Sequence, residues 1–338
     1  MKVLVTGAAG FIGHHVARRL AETKRCEVLG VDNLSDYYDV ALKRARLDEL
    51  ASLEGFRFLQ ADFADAAKFP GLLAHFRPDY VVHLGAQPGV RFSMEQPAAY
   101  TRSNLEGFAT VLEACRRHPP RHLVFASSSS VYGAGARPPF REEDNTDQPV
   151  SYYGATKKAN ELMAHSYAHN HGLNITGLRF FTVYGPWGRP DMAPTLFSRA
   201  ILAGERLRLF NGGRNLRDFT YVDDIVDGVL KACEAPRASG EVMNIATGGR
   251  VSLLELLGTL NRLVGTTLTA VHKDARAGDV RDSQADINKA RSAIEKLALG
   301  EVQVQTFGTS RDVLVRLPTR ADAKGNAELS TRAFEQLC

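Results

Sequence analysis

The sequence predicts an α/β protein built on a doubly wound parallel sheet, and two observations support this fold class. Apolar runs of strand length alternate with helical patterns along the chain, and a glycine-rich loop joins the first run to a helix. Because each crossover between parallel strands returns over the sheet, the alternation requires helices on both faces. The predicted strands are Lys2–Thr6, Glu27–Val31, Phe56–Gln60, Tyr80–Leu84, His122–Ser127 and Asn174–Leu178.

The loop after the first strand has the spacing Gly-x-x-Gly-x-x-Gly at Gly7, Gly10 and Gly13. Gly7 suits a tight turn, Gly10 allows backbone N–H groups to approach a pyrophosphate, and Gly13 allows the helix to pack closely on the sheet. Phe11 and Ile12 belong to the same turn. We therefore predict a Rossmann-like dinucleotide site here.

An acidic residue follows the second predicted strand, at the distance from the glycine loop expected for a ribose-binding carboxylate. Asp32 would accept hydrogen bonds from both adenosine ribose hydroxyls and would repel a 2′-phosphate, which favours NAD over NADP. Asn33 is expected beside it. Arg44 or Arg46 nearby could soften this preference.

Tyr153 and Lys157 are four residues apart on a predicted helix, so their side chains share one face. A free phenol ionises near pH 10, and a nearby cation favours the phenolate. An isolated pair of this kind is usually a surface tyrosine and a solvated lysine. The upstream dinucleotide loop favours a catalytic pair that transfers a proton.

Together these motifs resemble the extended short-chain dehydrogenase/reductase superfamily, and within it the nucleotide-sugar epimerases that act on UDP-glucuronate. The resemblance extends from Met1 to about Lys296. It implies an NAD-dependent inversion of C4 that converts UDP-glucuronate to UDP-galacturonate through a 4-keto intermediate, for polysaccharide biosynthesis. NAD would be regenerated in each cycle and would stay bound.

The resemblance implies further contacts to the cofactor. Asp62 would reach the adenine amine, although it could instead cap a helix predicted at Ala64–Phe76. Asn104 would brace the active-site backbone. The implied cofactor-binding set is Gly7, Gly10, Phe11, Ile12, Gly13, Asp32, Asn33, Asp62, Phe63, Ala86, Gln87, Asn104, Tyr153 and Lys157.

A run of serines follows the fifth predicted strand. A hydroxyl there can hydrogen-bond the substrate oxygen that Tyr153 deprotonates, and the resemblance selects Ser128 first and Ser130 second. Related dehydratases carry Asp-Glu in this loop and related decarboxylases carry a Glu. Ser129 and Ser130 occupy those positions in this chain, which disfavours dehydration and decarboxylation.

The resemblance places a carboxylate clamp at Thr182 and Arg189. A 4-keto glucuronate is a β-keto acid that loses carbon dioxide readily, and a guanidinium fork can fix its carboxylate in a safe orientation. The alternative is that Arg189 simply pairs with Asp191. The other implied substrate contacts are Arg91 on an anionic group, Arg217 and Arg276 on the diphosphate, and Asp279 on the uridine ribose.

The predicted domain organisation interleaves two units. Residues 1–181 form the NAD-binding domain with a return segment at about 222–250, and residues 182–221 and 251–299 form a smaller substrate lobe. Residues 300–338 depart from the family and form an atypical tail.

Composition adds few constraints on partners. The net charge is only +4, and no dense basic run with interleaved aromatic residues indicates nucleic-acid binding. Cys26, Cys115, Cys233 and Cys338 form no metal-binding pattern and suit a reducing compartment. No apolar run reaches the ~18 residues that would cross a bilayer. We therefore expect a cytoplasmic protein without a metal.

Two alternatives to this function stay open at the level of sequence. One is a 4-epimerase of UDP-glucose or of UDP-N-acetylglucosamine, for which Arg189 would have no carboxylate partner. The other is a catalytically silent dinucleotide-binding protein, although such proteins tend to lack the Tyr153 and Lys157 pair. A homodimer formed by helical segments 96–118 and 153–171 is expected from the resemblance.

Overall fold

Strands and helices alternate through the residues that the computed structural model describes, which are 1–23, 25–235, 238–274 and 280–294. The strands are β1 (Lys2–Thr6), β2 (Glu27–Asp32), β3 (Phe56–Gln60), β4 (Tyr80–His83), β5 (His122–Ser128), β6 (Ile175–Phe180), β7 (Thr182–Tyr184), β8 (Leu207–Phe210), β9 (Leu216–Arg217), β10 (Phe219–Tyr221), β11 (Val242–Ile245), β12 (Val251–Ser252) and β13 (Ala270–Lys273).

The helices lie between these strands. They are α1 (Phe11–Glu22), α2 (Val40–Ala51), α3 (Phe69–Phe76), α4 (Phe92–Glu95), α5 (Pro97–Tyr100), α6 (Gly107–Arg117), α7 (Tyr152–His171), α8 (Ala193–Ala203), α9 (Val222–Glu234), α10 (Leu253–Val264) and α11 (Asn288–Ala293). A π-helix spans Thr101–Glu106, and 3₁₀-helices span Ser129–Tyr132 and Asn211–Gly213.

A seven-stranded sheet in the described chain has the order β11-β6-β5-β4-β1-β2-β3, and every neighbouring pair is parallel. The predicted doubly wound fold is confirmed. The strand order reverses beside β1, which lies between β2 and β4. Ligands of such sheets bind beyond the carboxyl ends of the strands at this reversal, so the topology positions the candidate site there.

The sheet separates two apolar cores. Because side chains alternate along a strand, Val3 and Val5 pack on one face and Leu4 on the other. Helix α1 packs against α9, and α3 packs against α6. The apolar residues therefore cover both faces of the sheet and leave its carboxyl edge to the polar loops.

One predicted helix begins later than expected. The pattern predicted a helix at Ala64–Phe76, but α3 begins at Phe69, with Pro70 in its first turn. Proline fits this position because the first helical turn does not need its N–H group. Asp62 therefore does not cap α3, and its Oδ1 instead accepts the N–H of Ala64 at 2.9 Å.

The described residues also form three two-stranded sheets beside the main one. Strand β10 pairs with β7, β12 with β9, and β13 with β8. The buried carboxylate of Asp218 joins this region to the loop after β11, because it accepts the N–H groups of Thr247, Gly248 and Ala285 at 3.0 to 3.2 Å. The boundaries of the two predicted domains stay a prediction.

Several predictions fall outside the described residues. They are Arg276, Asp279, Cys338 and the tail at 300–338. In the part that the structure does describe, no helix is long and apolar enough to cross a membrane. The same part contains no group of three or more histidine, cysteine or acidic side chains that could hold a metal.

Candidate functional site

A cavity of about 430 Å³ opens at the carboxyl ends of β1, β2, β4 and β5. Most of the predicted site residues line it. They are Gly7, Gly10, Phe11, Ile12, Gly13, Asp32, Asn33, Asp62, Phe63, Ala86, Gln87, Ser128, Tyr153, Lys157 and Arg189. The fold thus brings the glycine loop, the Tyr–Lys pair and one arginine of the predicted clamp to a single site.

The glycine loop is shaped by close backbone contacts. Gly7 has φ +72°, and a Cβ there would lie 2.7 Å from the nitrogen of Gly85. A Cβ on Gly13 would lie 2.0 Å from the carbonyl oxygen of Gly7. Neither position tolerates a side chain, so these glycines allow the first turn of α1 to approach β1 and β4. The N–H groups at this turn are suitable for a pyrophosphate.

Asp32 lies at the end of β2 and is 6% exposed. Its Oδ2 accepts the N–H of Ala9 at 3.2 Å and its Oδ1 accepts the N–H of Leu34 at 2.8 Å. The carboxylate therefore holds the glycine loop and the turn after β2 together. It also lines the cavity, where its lone pairs can receive ribose hydroxyls.

The two arginines considered as modifiers of cofactor choice do not line the cavity. Arg44 is exposed on α2. Arg46 is fully buried and donates to the carbonyl oxygens of Ala9 at 2.9 Å and Trp187 at 2.6 Å, and to the hydroxyl of Tyr38 at 2.7 Å. Arg46 therefore ties the glycine loop to the loop before α8, and an effect of Arg44 or Arg46 on the preference for NAD stays a prediction.

Asn104 lies in the π-helix and is 2% exposed. Its Oδ1 accepts the N–H of Gln87 at 2.7 Å, while its Nδ2 donates to the carbonyl of Gln87 at 3.1 Å and to the hydroxyl of Thr156 at 3.1 Å. Asn104 does not line the cavity itself. It joins the cavity backbone after β4 to α7, which is a bracing geometry.

Helix α7 presents the Tyr–Lys pair to the cavity. The Nζ of Lys157 donates to the carbonyl of Ala126 at 2.9 Å and lies 5.9 Å from the centre of the Tyr153 ring. One turn later, Glu161 forms a two-pronged ion pair with Arg179 of β6 at 2.8 and 2.9 Å. Since Glu161 and Arg179 are both buried, this pair fixes α7 against the sheet beneath the reactive groups.

The pKa values of the pair depend mainly on burial. Burial raises the pKa of Tyr153, whereas the charge of Arg189 and a hydrogen bond with Ser128 lower it. Burial lowers the pKa of Lys157 to about 8, with Glu161 acting in the opposite direction. Arg189 is therefore a cation that favours the Tyr153 phenolate, a role that sequence analysis gave only to Lys157.

Ser128 and Ser130 differ in their position. Ser128 ends β5 and lines the cavity. Its Oγ accepts the N–H of Ser130 at 3.2 Å, while Ser130 lies in the following 3₁₀-helix and does not line the cavity. The geometry therefore favours Ser128 as the hydroxyl that meets a substrate.

Arg189 is held by a chain of polar contacts. Its Nε and Nη2 donate to the two oxygens of Asp191 at 3.0 and 2.5 Å, and Asp191 accepts the hydroxyl of Tyr37 at 3.1 Å. The alternative in which Arg189 pairs with Asp191 is thus realised. Because Arg189 also lines the cavity, the pair orients the guanidinium at the site.

Three predicted substrate contacts lie outside the cavity lining. Arg91 is exposed at the start of α4. Thr182 starts β7, where its N–H donates to the carbonyl of Asp218 at 3.1 Å. Arg217 lies in β9 and donates to the carbonyl of Leu216 at 2.8 Å. Their roles toward a substrate stay predictions.

Several cavity residues were not found by sequence analysis. Lys43 could have been noticed, because Lys43, Arg46 and Leu50 share the buried stripe of α2 at helical spacing. Arg102 gives no such signal, and its ion pair with Asp62 depends on folding. The cavity side chains missed include Ser35, Tyr37, Tyr38, Lys43, Arg102, Phe180, Phe181 and Met192.

Comparison with known proteins identifies the family of this chain. The model of the NAD dependent epimerase/dehydratase family matches residues 3–246. The chain belongs to this family. UDP-glucuronate 4-epimerase 3 of Arabidopsis thaliana is 46% identical to this epimerase/dehydratase over 306 residues, which are 86% of this chain and 71% of that one. The predicted resemblance to nucleotide-sugar epimerases is confirmed.

Solved structures of similar proteins agree with the fold. UDP-glucuronic acid 4-epimerase from Bacillus cereus, in complex with UDP-glucuronic acid and NAD, has a TM-score of 0.83 and 34% identity, covering 87% of this chain and 93% of that one. UDP-glucose 4-epimerase from Thermotoga maritima, with UDP-glucose, has a TM-score of 0.79 and 33% identity, covering 86% and 92%.

Proposed function

We propose that this epimerase/dehydratase uses NAD to invert C4 of a UDP-sugar, and that UDP-glucuronate and UDP-galacturonate are its substrate and product. The observation that carries the proposal is the convergence of Ser128, Tyr153, Lys157 and Arg189 on the cavity that the glycine loop lines. The 46% identity to a plant UDP-glucuronate 4-epimerase supports the same substrate.

The residues of the cavity suit NAD. The absence of side chains at Gly7 and Gly13 leaves backbone donors for the pyrophosphate, and Asp32 lines the cavity, where it would accept the ribose hydroxyls. When bound, NAD would supply a reversible hydride acceptor for C4 of the sugar. Lys157 has three N–H donors, one of which bonds Ala126, so it could also donate to the nicotinamide ribose.

Tyr153 acts as the acid and base of the cycle. As phenolate, it takes the proton of the 4-hydroxyl, and it returns a proton to the same oxygen after the 4-keto sugar has turned over in the cavity. Ser128 donates a hydrogen bond to this oxygen as the carbonyl develops. The charge of Arg189 opposes the rise that burial causes in the pKa of Tyr153, and Lys157 lies 5.9 Å from the ring centre as a second cation that would favour the phenolate.

Dehydration is disfavoured by the side chains at hand. Expulsion of water from the sugar would need a carboxylate or another acid beside Ser128, where the chain carries Ser129 and Ser130 in a 3₁₀-helix. The acidic side chains that line the cavity among the described residues are Asp32, Asp36 and Asp62. These belong to the glycine-loop end and to the adenine side expected for NAD.

The pairing of Arg189 bears on whether the substrate carries a charged or a neutral sugar. A guanidinium has five N–H donors, and the pairing with Asp191 uses two, so donors remain for a substrate carboxylate. The same pairing favours a second candidate, a 4-epimerase of UDP-glucose or UDP-N-acetylglucosamine, because Asp191 already provides Arg189 with an anionic partner.

The substrate assignment is tested with Arg189→Met and the control Arg121→Met, which removes an exposed arginine just before β5 and outside the cavity lining. Steady-state rates are measured with UDP-glucuronate and UDP-glucose. Loss of one carboxylate contact is expected to lower kcat/KM for UDP-glucuronate by about 100-fold, the scale of a buried charge-assisted hydrogen bond. Equal losses with both sugars would contradict the clamp and assign Arg189 to Tyr153 alone.

We also propose that the protein is a cytoplasmic homodimer. Unpaired, buried Cys26, Cys115 and Cys233 in the described chain are compatible with a reducing compartment. Helix α7 exposes Leu162 to 60%, a large apolar residue on the predicted dimer face. Leu162→Glu is expected to give a monomer by light scattering, whereas Leu202→Glu on α8 is expected to leave the dimer intact. An unchanged mass for both variants would contradict this face.

A further inference from the structure

A buried lysine lies beside the carboxylate that is expected to select the cofactor. Lys43, on α2, is 5% exposed and lines the cavity. Its Nζ lies 3.7 Å from Oδ1 of Asp32 and donates to the hydroxyl of Ser35 at 3.1 Å. The ammonium also lies 5.3 Å from the centre of the Tyr38 ring. Its position is therefore fixed at the ribose end of the site.

The surroundings of Lys43 leave it able to bind a further anion. An ammonium has three donors, and the contact with Asp32 is too long for a hydrogen bond. Burial lowers the pKa of Lys43 despite the charge of Asp32. Burial therefore outweighs the carboxylates of Asp32 and Asp36, which both raise the pKa of Lys43, and a further anion would stabilise the buried cation.

The other cations near the ribose end are already engaged or lie outside the cavity lining. Arg46 is turned toward the carbonyls of Ala9 and Trp187, and Arg44 is exposed outside the cavity lining. Arg102 lines the cavity but is paired with Asp62. Of the cationic side chains that line the cavity in the described residues, Lys43 is the one paired with Asp32.

We propose that Lys43 is a second determinant of cofactor choice, a binding site for the 2′-phosphate of NADP that Asp32 keeps closed. With Asp32 ionised, its negative charge repels the phosphate and Lys43 serves the hydroxyls of NAD. Without that charge, the ammonium offers a fixed, partly desolvated partner to the phosphate. The proposal rests on the NAD assignment of the proposed function and is independent of the sugar.

Competition between the two dinucleotides tests the proposal without any turnover. Purified protein is first freed of the nucleotide that it retains, then incubated with equimolar NAD and NADP and desalted, and the nucleotides released by denaturation are quantified by chromatography. Asp32→Asn is expected to raise the bound NADP:NAD ratio by at least about tenfold over wild type, the effect of one close charge pair. Asp32→Asn with Lys43→Met is expected to return the ratio to within about twofold of wild type.

Arg44→Met in the Asp32→Asn background is the matched control, because it removes a neighbouring positive charge that lies outside the cavity lining. It is expected to retain the raised ratio. The proposal is overturned if the double variant with Lys43→Met binds NADP as well as Asp32→Asn alone, or if the Arg44 control loses NADP equally.

Asp32→Asn places an amide nitrogen near the N–H groups of Ala9 and Leu34 and could impair folding. Asp32→Ser then replaces it, with the same expected ratios. Lys43→Met alone provides an independent measurement, because it should lower the residual NADP:NAD ratio of the wild-type background. An unchanged ratio would count against Lys43. Absence of retained NAD from wild-type protein would contradict the cofactor of the proposed function instead.

Discussion

At the scale of the residue, the site depends on charges held out of water. Lys157 is 3% exposed and lies close to Tyr153, and Arg189 is oriented by Asp191 and Tyr37. A buried cation destabilises the folded protein, yet here it lowers the cost of forming a phenolate. The catalytic residues are therefore expected to reduce stability, as strained functional sites often do.

Replacing Lys157 by methionine should stabilise the protein and abolish turnover. Burial lowers the pKa of Lys157 from 10.5 to about 8. Below pH 8 the charge of Lys157 therefore costs the folded wild-type protein about 3 kcal/mol. The variant removes this cost but also loses the hydrogen bond to Ala126, which contributes about 1 kcal/mol. We expect the free energy of unfolding at pH 7 to rise by about 2 kcal/mol, measured by urea denaturation.

The pH dependence of this effect has a defined sign. Between pH 8 and 10.5 the unfolded chain binds the lysine proton more strongly than the folded protein does, so wild type gains stability as pH rises. The advantage of Lys157→Met should shrink through this window. Lys68→Met, at an exposed site, should show no such convergence. A stability difference that stays constant across the window would contradict the buried-charge account.

At the scale of the element, α1 and α2 hold the loop that carries Arg189. His15 of α1 contacts the carbonyl of Pro186 at 2.9 Å, and Arg46 of α2 donates to the carbonyl of Trp187 at 2.6 Å. Trp187 has φ +59°, which a non-glycine residue adopts only at a cost. The cofactor loop and the loop with Arg189 therefore share their supports.

Arg46→Met tests this shared support. The change leaves the carbonyls of Ala9 and Trp187 without their donor, which should cost about 2–4 kcal/mol of unfolding free energy. Retention of NAD and the KM for UDP-glucuronate should both worsen, because the two loops loosen together. Arg44→Met on the same helix is the control. If NAD retention and KM matched those of the control, the two loops would be supported independently.

At the scale of the whole molecule, Asp218 connects the small sheets to the main one. All three backbone partners of its carboxylate are N–H groups, which only an acceptor can satisfy, and they come from the segments at Thr247–Gly248 and Ala285. Burial raises the pKa of Asp218, and these hydrogen bonds oppose that shift. This one buried carboxylate therefore joins the segment between β9 and β10 to the loop after β11 and to the segment at Ala285.

Asp218→Asn should destabilise the protein by about 2–4 kcal/mol, since one amide N–H group would face backbone donors. Urea denaturation measures the loss, and Asp48→Asn, which changes an exposed residue of α2, provides the control. A loss no greater than that of the control would mean that Asp218 does not join these segments in solution.

The sequence was sufficient for features that depend on local pattern. Gly7 and Gly13 identify their turn because backbone geometry requires glycine there, and Tyr153 and Lys157 share a helix face by spacing alone. The late start of α3 at Phe69 was missed because an apolar pattern continued upstream of Pro70. Local sequence pattern accounts for these successes and for this failure.

Contacts that join distant segments of the chain were not predicted from the sequence. Lys43 pairs with Asp32 only once the chain has folded. The same holds for the hydrogen bonds that Asp191 accepts from Tyr37 and Asp218 accepts from Thr247. No local pattern encodes these pairs, because each joins side chains from different loops or elements.

The most direct test of the account is the incubation of purified protein with UDP-glucuronate and no added NAD, followed by NMR of the products. We predict conversion to UDP-galacturonate until equilibrium, because a cofactor regenerated in each cycle stays bound. Conversion of UDP-glucose or UDP-N-acetylglucosamine with none of UDP-glucuronate would contradict the assignment of Arg189 to a substrate carboxylate. No conversion of any of these sugars would contradict the epimerase mechanism itself.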